Sequence, residues 1–202
     1  MSLDVALGGP GRPAQGRTGP HGEATDEQLL HAMADGDRAA LEQLYARHAR
    51  PLLAYLTRLL DRPSAEEALQ DTLVTAWRRA GSFAGSASAS AWLHGIARRQ
   101  AANRRRRREG KPAAVDELTE VAATGQGPED AVLAAAAEAE LAALIGRLPA
   151  RQQEALTLVL RNSLTYAEAA EVLDVPVGTV KSRLHAAKHS LAALLREQEA
   201  SR

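Results

Sequence analysis

The sequence predicts an all-α protein of two small helical domains, joined by a flexible acidic linker, with a helix-turn-helix in the second domain. Apolar residues recur at three- and four-residue steps, the spacing of helices with one buried face, and no segment alternates with the period of a strand. Charge is segregated along the chain although the net charge is zero. Residues 25–108 carry 14 basic and 9 acidic residues, residues 109–140 carry one and eight, and residues 141–202 carry eight and six.

Composition excludes several classes of protein. The chain has 202 residues, 45% of them hydrophobic, which is enough for one medium domain or two small ones. It has no cysteine, so a disulfide framework, a thiolate zinc site and a cysteine nucleophile are excluded. No apolar run approaches the ~20 residues of a membrane-spanning helix, and the start of the chain lacks the apolar stretch of a secretory signal. We therefore expect a cytoplasmic protein without membrane contact.

Glycine, proline and acidic residues set the expected domain boundaries. Residues 1–24 hold six glycines and three prolines. Residues 109–128 are rich in glycine, proline and acids. Such segments bury too little apolar surface to fold alone. We expect a disordered extension over residues 1–24, a first domain over 25–108, a linker over 109–128 and a second domain over 129–202.

Local signals predict the helix boundaries of the first domain. Capping-box patterns at Thr25–Gln28 and Ser64–Glu67 predict two helix starts, and Asp37 is a third candidate cap. Pro51 lies inside a helical pattern, where we expect a kink or a break. The Gly-, Ser- and Ala-rich segment 81–90 predicts a loop before the next helix.

The helix after Ser64 has an acidic outer face. Its exposed positions are predicted to be Glu66, Glu67, Gln70 and Asp71. Acids on an otherwise basic domain favour a protein partner with basic residues, because complementary charge guides docking. A merely solvated acidic face is the alternative.

The helix predicted over residues 91–108 carries dense positive charge. It contains Arg98, Arg99 and Asn103 and ends in an arginine run that starts at Arg104. Such a surface binds nucleic acid with a steep salt dependence. Phe83 and Trp92 lie upstream, and aromatic rings beside a basic track stack on single-stranded bases. The alternatives are aromatic rings that only pack in the core and a solvated basic tail.

Residues 164–184 predict a helix-turn-helix. Small and apolar residues line the first helix, and Asp174 to Pro176 form a sharp turn before the second. The outer face of the second helix suits a major groove, since small residues allow close approach and basic residues reach phosphates and base edges. Its residues are Gly178, Thr179, Lys181, Ser182, Arg183 and His185. A plain helical hairpin is the alternative.

Catalytic motifs are absent from the sequence. It has no P-loop, no GxGxxG followed by an acid and no HExxH. Its six histidines are scattered, and His185 and His189, one helical turn apart, lack a third metal ligand. We therefore expect no enzyme activity, no cofactor and no metal.

Together, these features resemble the extracytoplasmic-function group of bacterial RNA polymerase sigma factors. The resemblance covers about residues 25 to 195. Residues 65–77 resemble the family's polymerase-binding helix, residues 82–107 its promoter-melting and −10-reading segment, and residues 148–191 its −35-reading domain.

The resemblance implies specific roles. Core RNA polymerase would bind Glu66, Glu67, Gln70 and Asp71. The opened −10 element would meet Phe83, Trp92, Arg98, Arg99, Asn103 and Arg104. The −35 major groove would take Gly178, Thr179, Lys181, Ser182, Arg183 and His185. The acidic linker would follow the polymerase channel, and we expect an anti-sigma partner.

Two other functions stay open on the sequence. A stand-alone helix-turn-helix regulator would bind a palindrome as a dimer without polymerase. A helical adaptor that mimics a sigma factor and sequesters a regulator would bind no DNA.

Overall fold

A computed structural model describes residues 24–109 and 141–200. All regular structure in these residues is helical, which confirms the all-α prediction. The first group contains α1 (Asp26–Ala34), α2 (Arg38–Leu56), α3 (Arg62–Arg79), a 3-10 turn (Ala80–Ser82) and α4 (Ala89–Glu109). The second contains helical residues 141–146, α5 (Ala150–Leu156), a π-helical turn (Thr157–Arg161), α6 (Tyr166–Leu173) and α7 (Val177–Ala200). Residues 1–23 of the extension predicted over 1–24, residues 110–128 of the linker predicted over 109–128 and residues 129–140 of the predicted second domain lie outside the described residues.

The first two helices begin at the predicted caps. The Thr25 hydroxyl accepts a hydrogen bond from the Gln28 backbone N–H, and the Gln28 side chain accepts one from the Thr25 N–H at 2.8 Å. The Asp37 carboxylate accepts from the Ala39 N–H at 2.8 Å. Each cap stabilises its helix by about 1 kcal/mol because it satisfies an otherwise unpaired N–H. Both predictions are confirmed.

The start of α3 corrects a prediction. The Ser64–Glu67 pattern does not cap the helix, because α3 begins two residues before Ser64, at Arg62. Asp61 is the cap, and its carboxylate accepts from the Ser64 N–H at 3.0 Å. Pro63 fits this first turn, where a missing N–H costs nothing. Ser64 therefore lies inside the helix as a hydrogen-bond donor to the true cap.

The sequence predicts a kink or a break at Pro51, and helix α2 continues through this residue without a break. The helix residues after the proline include Leu52, Tyr55 and Leu56, and each of them is at most 1% exposed. Burying three large side chains contributes more than the ~3 kcal/mol that a proline costs inside a helix.

Later boundaries are close to the predicted ones. The predicted loop at residues 81–90 begins with the 3-10 turn, and α4 starts at Ala89, two residues before the prediction. Helix α5 is α-helical only to Leu156 and then widens into the π-helical turn. Pro149 stands at the N-cap of α5.

The two helical groups share one hydrophobic core. Leu44 and Leu93 are fully buried in the first group, and Leu148 and Val180 are fully buried in the second. Helix α4 packs against α6, and the π-helical turn lies beside α2. The helix with the arginine run therefore lies against the first helix of the helix-turn-helix.

Candidate nucleic-acid and partner interfaces

The acidic outer face of α3 lies where the sequence predicts it. Glu66, Glu67 and Gln70 are exposed, and Asp71 is half-buried. We call these four residues the acidic face of α3. The face exists because the opposite side of the helix packs into the core through Ala65, Ala68, Leu69, Thr72 and Ala76. Arg62 pairs with Glu66 at 2.9 Å one turn away along the same helix.

Arg104 crosses from α4 to this acidic face. Its Nη2 donates to Asp71 Oδ2 at 2.6 Å, and its Nη1 donates to Glu67 Oε2. Burial opposes the charge of Arg104, but the two carboxylates outweigh it, so the pKa of Arg104 lies above its ordinary value. Its side chain is only 20% exposed. Arg104 therefore lies against α3 rather than in solvent.

Arg98 is held by a buried carboxylate from the second group. Arg98 Nε donates to Glu154 Oε1 at 3.0 Å, and the Tyr55 hydroxyl donates to the same oxygen at 2.8 Å. The Glu154 side chain is 2% exposed. Burial and the adjacent Glu154 raise the pKa of Tyr55 well above its ordinary value, so its hydroxyl stays protonated and donates. Burial opposes the charge of Arg98, but Glu154 more than compensates and raises its pKa.

An open pocket of about 230 Å³ lies between the loop that precedes α4 and helix α6. The residues around it include Phe83, Trp92 and Arg99 from the first group and Glu171 and Val172 from the second. Phe83 is 8% exposed and packs edge-on against Trp92, with ring centroids 5.7 Å apart. Both aromatic rings thus have a packing role and also border the pocket. Arg99 is exposed at its rim.

A second carboxylate links α6 to the loop before α4. Glu168 accepts from the Ser88 backbone N–H at 3.1 Å and closes a capping box with Thr165 at the start of α6. Burial alone would raise the pKa of Glu168, but these hydrogen bonds lower it below its ordinary value. Helix α6 therefore covers one side of the pocket with both polar and apolar contacts.

The helix-turn-helix has the predicted geometry. Helix α6 ends at Leu173, its C-cap residue Asp174 makes the left-handed turn with a φ of 55°, and α7 begins directly after Pro176. The side chains of Ala169 and Val180 are fully buried where the two helices pack. The predicted groove-facing residues Gly178, Lys181, Ser182 and His185 are exposed, and Thr179 and Arg183 are half-buried.

Asn103 and the two histidines of α7 have polar partners of their own. Asn103 is half-buried, and its Oδ1 accepts from Arg106. The Nε2 atoms of His185 and His189 lie 3.0 Å apart on α7. Among the described residues, no group of three or more histidines and acids is placed to hold a metal ion. None of the described helices has the length and apolar character needed to cross a membrane.

Family models match both halves of the chain. One described as Sigma-70 region 2 matches residues 44–111, and one described as Sigma-70, region 4 matches residues 138–191. The chain is 39% identical over 186 residues to the ECF RNA polymerase sigma factor SigM of Mycobacterium tuberculosis (strain ATCC 25618 / H37Rv), across 91% of this chain and 90% of that protein. The chain belongs to the extracytoplasmic-function sigma factors. It is therefore a transcription initiation factor that directs RNA polymerase to promoters.

Other relatives agree with this assignment. The RNA polymerase sigma-H factor of Pseudomonas aeruginosa is 32% identical over 186 residues, which covers 85% of this sigma factor and 96% of that one. A structure of CnrH in complex with the cytosolic domain of CnrY matches with a TM-score of 0.61 and 25% identity, over 85% of this chain and 97% of the other. The sigma factor RpoE from Bartonella quintana, solved with the anti-sigma factor NepR, matches with a TM-score of 0.58 and 26% identity, over 77% and 96%. The two-domain helical fold is thereby confirmed.

Sequence reasoning missed the two acids that join the domains of this sigma factor. Glu154 sits beside Ala155 and Leu156 on the inward side of α5, and Glu168 looked like an ordinary polar residue of α6. An acid at an inward helical position was the available signal for Glu154, because a buried carboxylate requires a partner. The assignments of individual residues to polymerase, the −10 element and the −35 element stay predictions.

Proposed function

We propose that the acidic face of α3 is the docking surface of this sigma factor for core RNA polymerase. Three of its four residues are exposed, and the face carries three carboxylates on a basic domain. Complementary charge would guide a basic polymerase surface to it. The proposed domains are residues 25–108, which hold this face, and residues 129–202.

The start of α7 is the proposed reader of the −35 element. The observation that carries this assignment is the exposure of Gly178, Lys181 and Ser182 on one face directly after the sharp turn at Asp174. Small residues there let the helix approach base edges, while Lys181 and Arg183 reach phosphates. Thr179 and His185 complete the proposed surface.

The pocket beside Phe83 and Trp92 is the proposed site for an unstacked base of the −10 element. Its aromatic walls suit stacking, and exposed Arg99 supplies charge for the strand backbone. Asn103, Arg98 and Arg104 are further proposed contacts. Helix α6 covers one side of this pocket and holds Arg98 through Glu154, so −10 recognition requires α6 to move away from α4.

The protein would act without catalytic chemistry of its own, in the cytoplasm, where polymerase meets the chromosome. An anti-sigma partner is proposed because the RpoE relative was solved with one. Such a partner would compete for the surfaces that polymerase and DNA need.

Affinity for core polymerase at low salt tests the docking surface. The Gln70→Ala/Asp71→Ala variant should bind core polymerase on the order of tenfold more weakly, because it removes part of the centre of the face. Glu42→Ala, which removes an exposed acid from α2, is the matched control and should bind like the wild type. Equal binding by all three proteins would refute this docking surface. A wild type that binds palindromic DNA as a dimer without polymerase would support the stand-alone regulator instead.

A further inference from the structure

We propose that Arg104 is a positioning residue for polymerase binding, which orients the carboxylates of Glu67 and Asp71 toward the polymerase. The inference rests on the proposed function of the acidic face of α3. It gives Arg104 a role beyond the −10 strand contact that its place in the arginine run suggests.

The hydrogen bonds of Arg104 are directional. One guanidinium nitrogen donates to Oε2 of Glu67 and the other to Oδ2 of Asp71. One side chain thus spans two carboxylates that stand one helical turn apart on α3. Arg104 binds one oxygen of each carboxylate, so Glu67 Oε1 and Asp71 Oδ1 take no part in these two bonds. The rigid fork of a guanidinium donates to both acids from two nitrogens in a fixed geometry, whereas the three donors of a lysine ammonium rotate about one nitrogen and fix direction less well.

Exposure separates Arg104 from the end of the arginine run. Its side chain is 20% exposed and Arg105 is half-buried too, whereas Arg106 and Arg107 are exposed. The acids that it holds remain open, at 63% exposure for Glu67 and 49% for Asp71. The arginine is therefore covered while its two partners face outward, as expected for a supporting residue beneath a binding surface.

Without Arg104, the two acids would lose their fixed geometry. Like charges one turn apart on a helix repel each other, and the guanidinium offsets this repulsion. Ordering free side chains at an interface weakens binding, so acids that are already ordered bind more tightly. Charge alone predicts the opposite effect on binding. Removing Arg104 makes the face more negative by one charge, which alone would strengthen binding to a basic polymerase surface.

The test measures the affinity of the full-length protein for core polymerase at low salt. Arg104→Ala should bind roughly fivefold more weakly, the scale of ordering one or two side chains on binding. Arg104→Lys keeps the charge but not the fork and should recover less than half of the lost binding free energy. Arg107→Ala removes the same charge from an exposed position of α4 and should bind like the wild type. Far-UV circular dichroism and melting temperature check that each variant is folded.

A second comparison separates the inference from the function on which it rests. Glu67→Gln/Asp71→Asn should weaken core binding, and adding Arg104→Ala to it should have no further effect. If this pair of substitutions weakens binding but Arg104→Ala does not, or strengthens it, the positioning role is wrong and the docking surface stands. If the pair leaves binding unchanged, the docking role of these acids and the positioning role both fail. Full recovery by Arg104→Lys would show that charge alone matters and would also overturn the proposal.

Discussion

The two proposed DNA-reading surfaces differ in what already covers them. On α7, Lys181 is exposed, and within residues 24–109 and 141–200 no acid pairs with Lys181 or Arg183. On α4, Arg98 is held by Glu154, and Arg104 is held by two acids of α3. The proposed −35 surface on α7 is open to a DNA groove. On the proposed −10 surface of α4, Arg98 and Arg104 are already bound to acids of the same protein.

This difference separates the two steps of promoter recognition. The proposed −35 surface would meet DNA without rearrangement of its own helix. The proposed −10 surface would need α6 to leave α4, because α6 contributes Glu171 and Val172 to the pocket and Glu168 to the loop. The proposal therefore makes contact with the −10 strand, but not contact with the −35 element, depend on a conformational change. Four changes test this contrast.

The largest effect is expected on the open surface. Lys181→Glu/Arg183→Glu replaces two cations with anions and should lower promoter-directed transcription by roughly a thousandfold, since each contact contributes about 2 kcal/mol. Core affinity should not change. Run-off transcription, on a promoter selected from random DNA by the wild-type holoenzyme, measures the first, and a binding assay measures the second. Unimpaired transcription would refute the assignment of Lys181 and Arg183 to the −35 element.

The next effect concerns the covered surface. Glu154→Ala leaves Arg98 and the Tyr55 hydroxyl buried without their partner and should destabilise the packed arrangement by about 3 kcal/mol. Because the chain has no cysteine, dyes on two engineered cysteines in α4 and α6 can report their separation. The distance in the free protein should increase. Glu42→Ala, which removes an exposed acid from α2, is the control and should not change it. An unchanged distance in Glu154→Ala would contradict the role of Glu154.

The free energy of unfolding should fall at acidic pH, because His94 is buried beside the contact of Tyr55 with Glu154. Burial, together with the nearby charge of His48, lowers the pKa of His94 to about 4, and its ring packs on Tyr55 with centroids 5.4 Å apart. The neutral ring is favoured in the folded state, so stability is full above the unfolded pKa of about 6.5 and falls as the pH drops toward 4. Unfolding by urea should show a loss of about 2 kcal/mol between pH 7 and pH 5. His94→Leu should remove most of that slope, and an unchanged slope would show that another group titrates.

The smallest effect on stability is expected from the loss of one hydrogen bond. Tyr55→Phe keeps the buried ring but removes the donor to Glu154, which should lower the free energy of unfolding by about 1 kcal/mol. Tyr45→Phe changes an exposed tyrosine and serves as the control. Equal losses in both variants would mean that the bond to Glu154 contributes no net stability.

Local sequence patterns were sufficient to predict a helix boundary where that boundary depends only on neighbouring residues. The caps at Thr25 and Asp37 and the turn before α7 follow from short-range hydrogen bonds and sterics. Helix α2 does not break at Pro51, because burial by the whole fold outweighs the local cost of a proline inside a helix. Glu154 meets Tyr55 across 99 residues of sequence, and no local pattern encodes such a contact.

The same limit applies to the candidate sites. The sequence placed the acidic face of α3 and the outer face of α7 correctly in solvent, because helical periodicity sets which residues face outward. It treated Arg98 and Arg104 as equivalent strand-binding residues. Arg98 binds the buried Glu154, whereas Arg104 binds acids at the surface of α3. This difference depends only on how α4 packs against α3 and the second domain.

Run-off transcription with purified core polymerase tests the central claim most directly. The wild-type protein should give a transcript of defined length only with core polymerase present. Gln70→Ala/Asp71→Ala should reduce its yield at limiting sigma factor, with recovery at excess, because the defect is in recruitment. No specific transcript from the wild type, or an undiminished yield from the variant at limiting concentration, would contradict recruitment through the acidic face of α3.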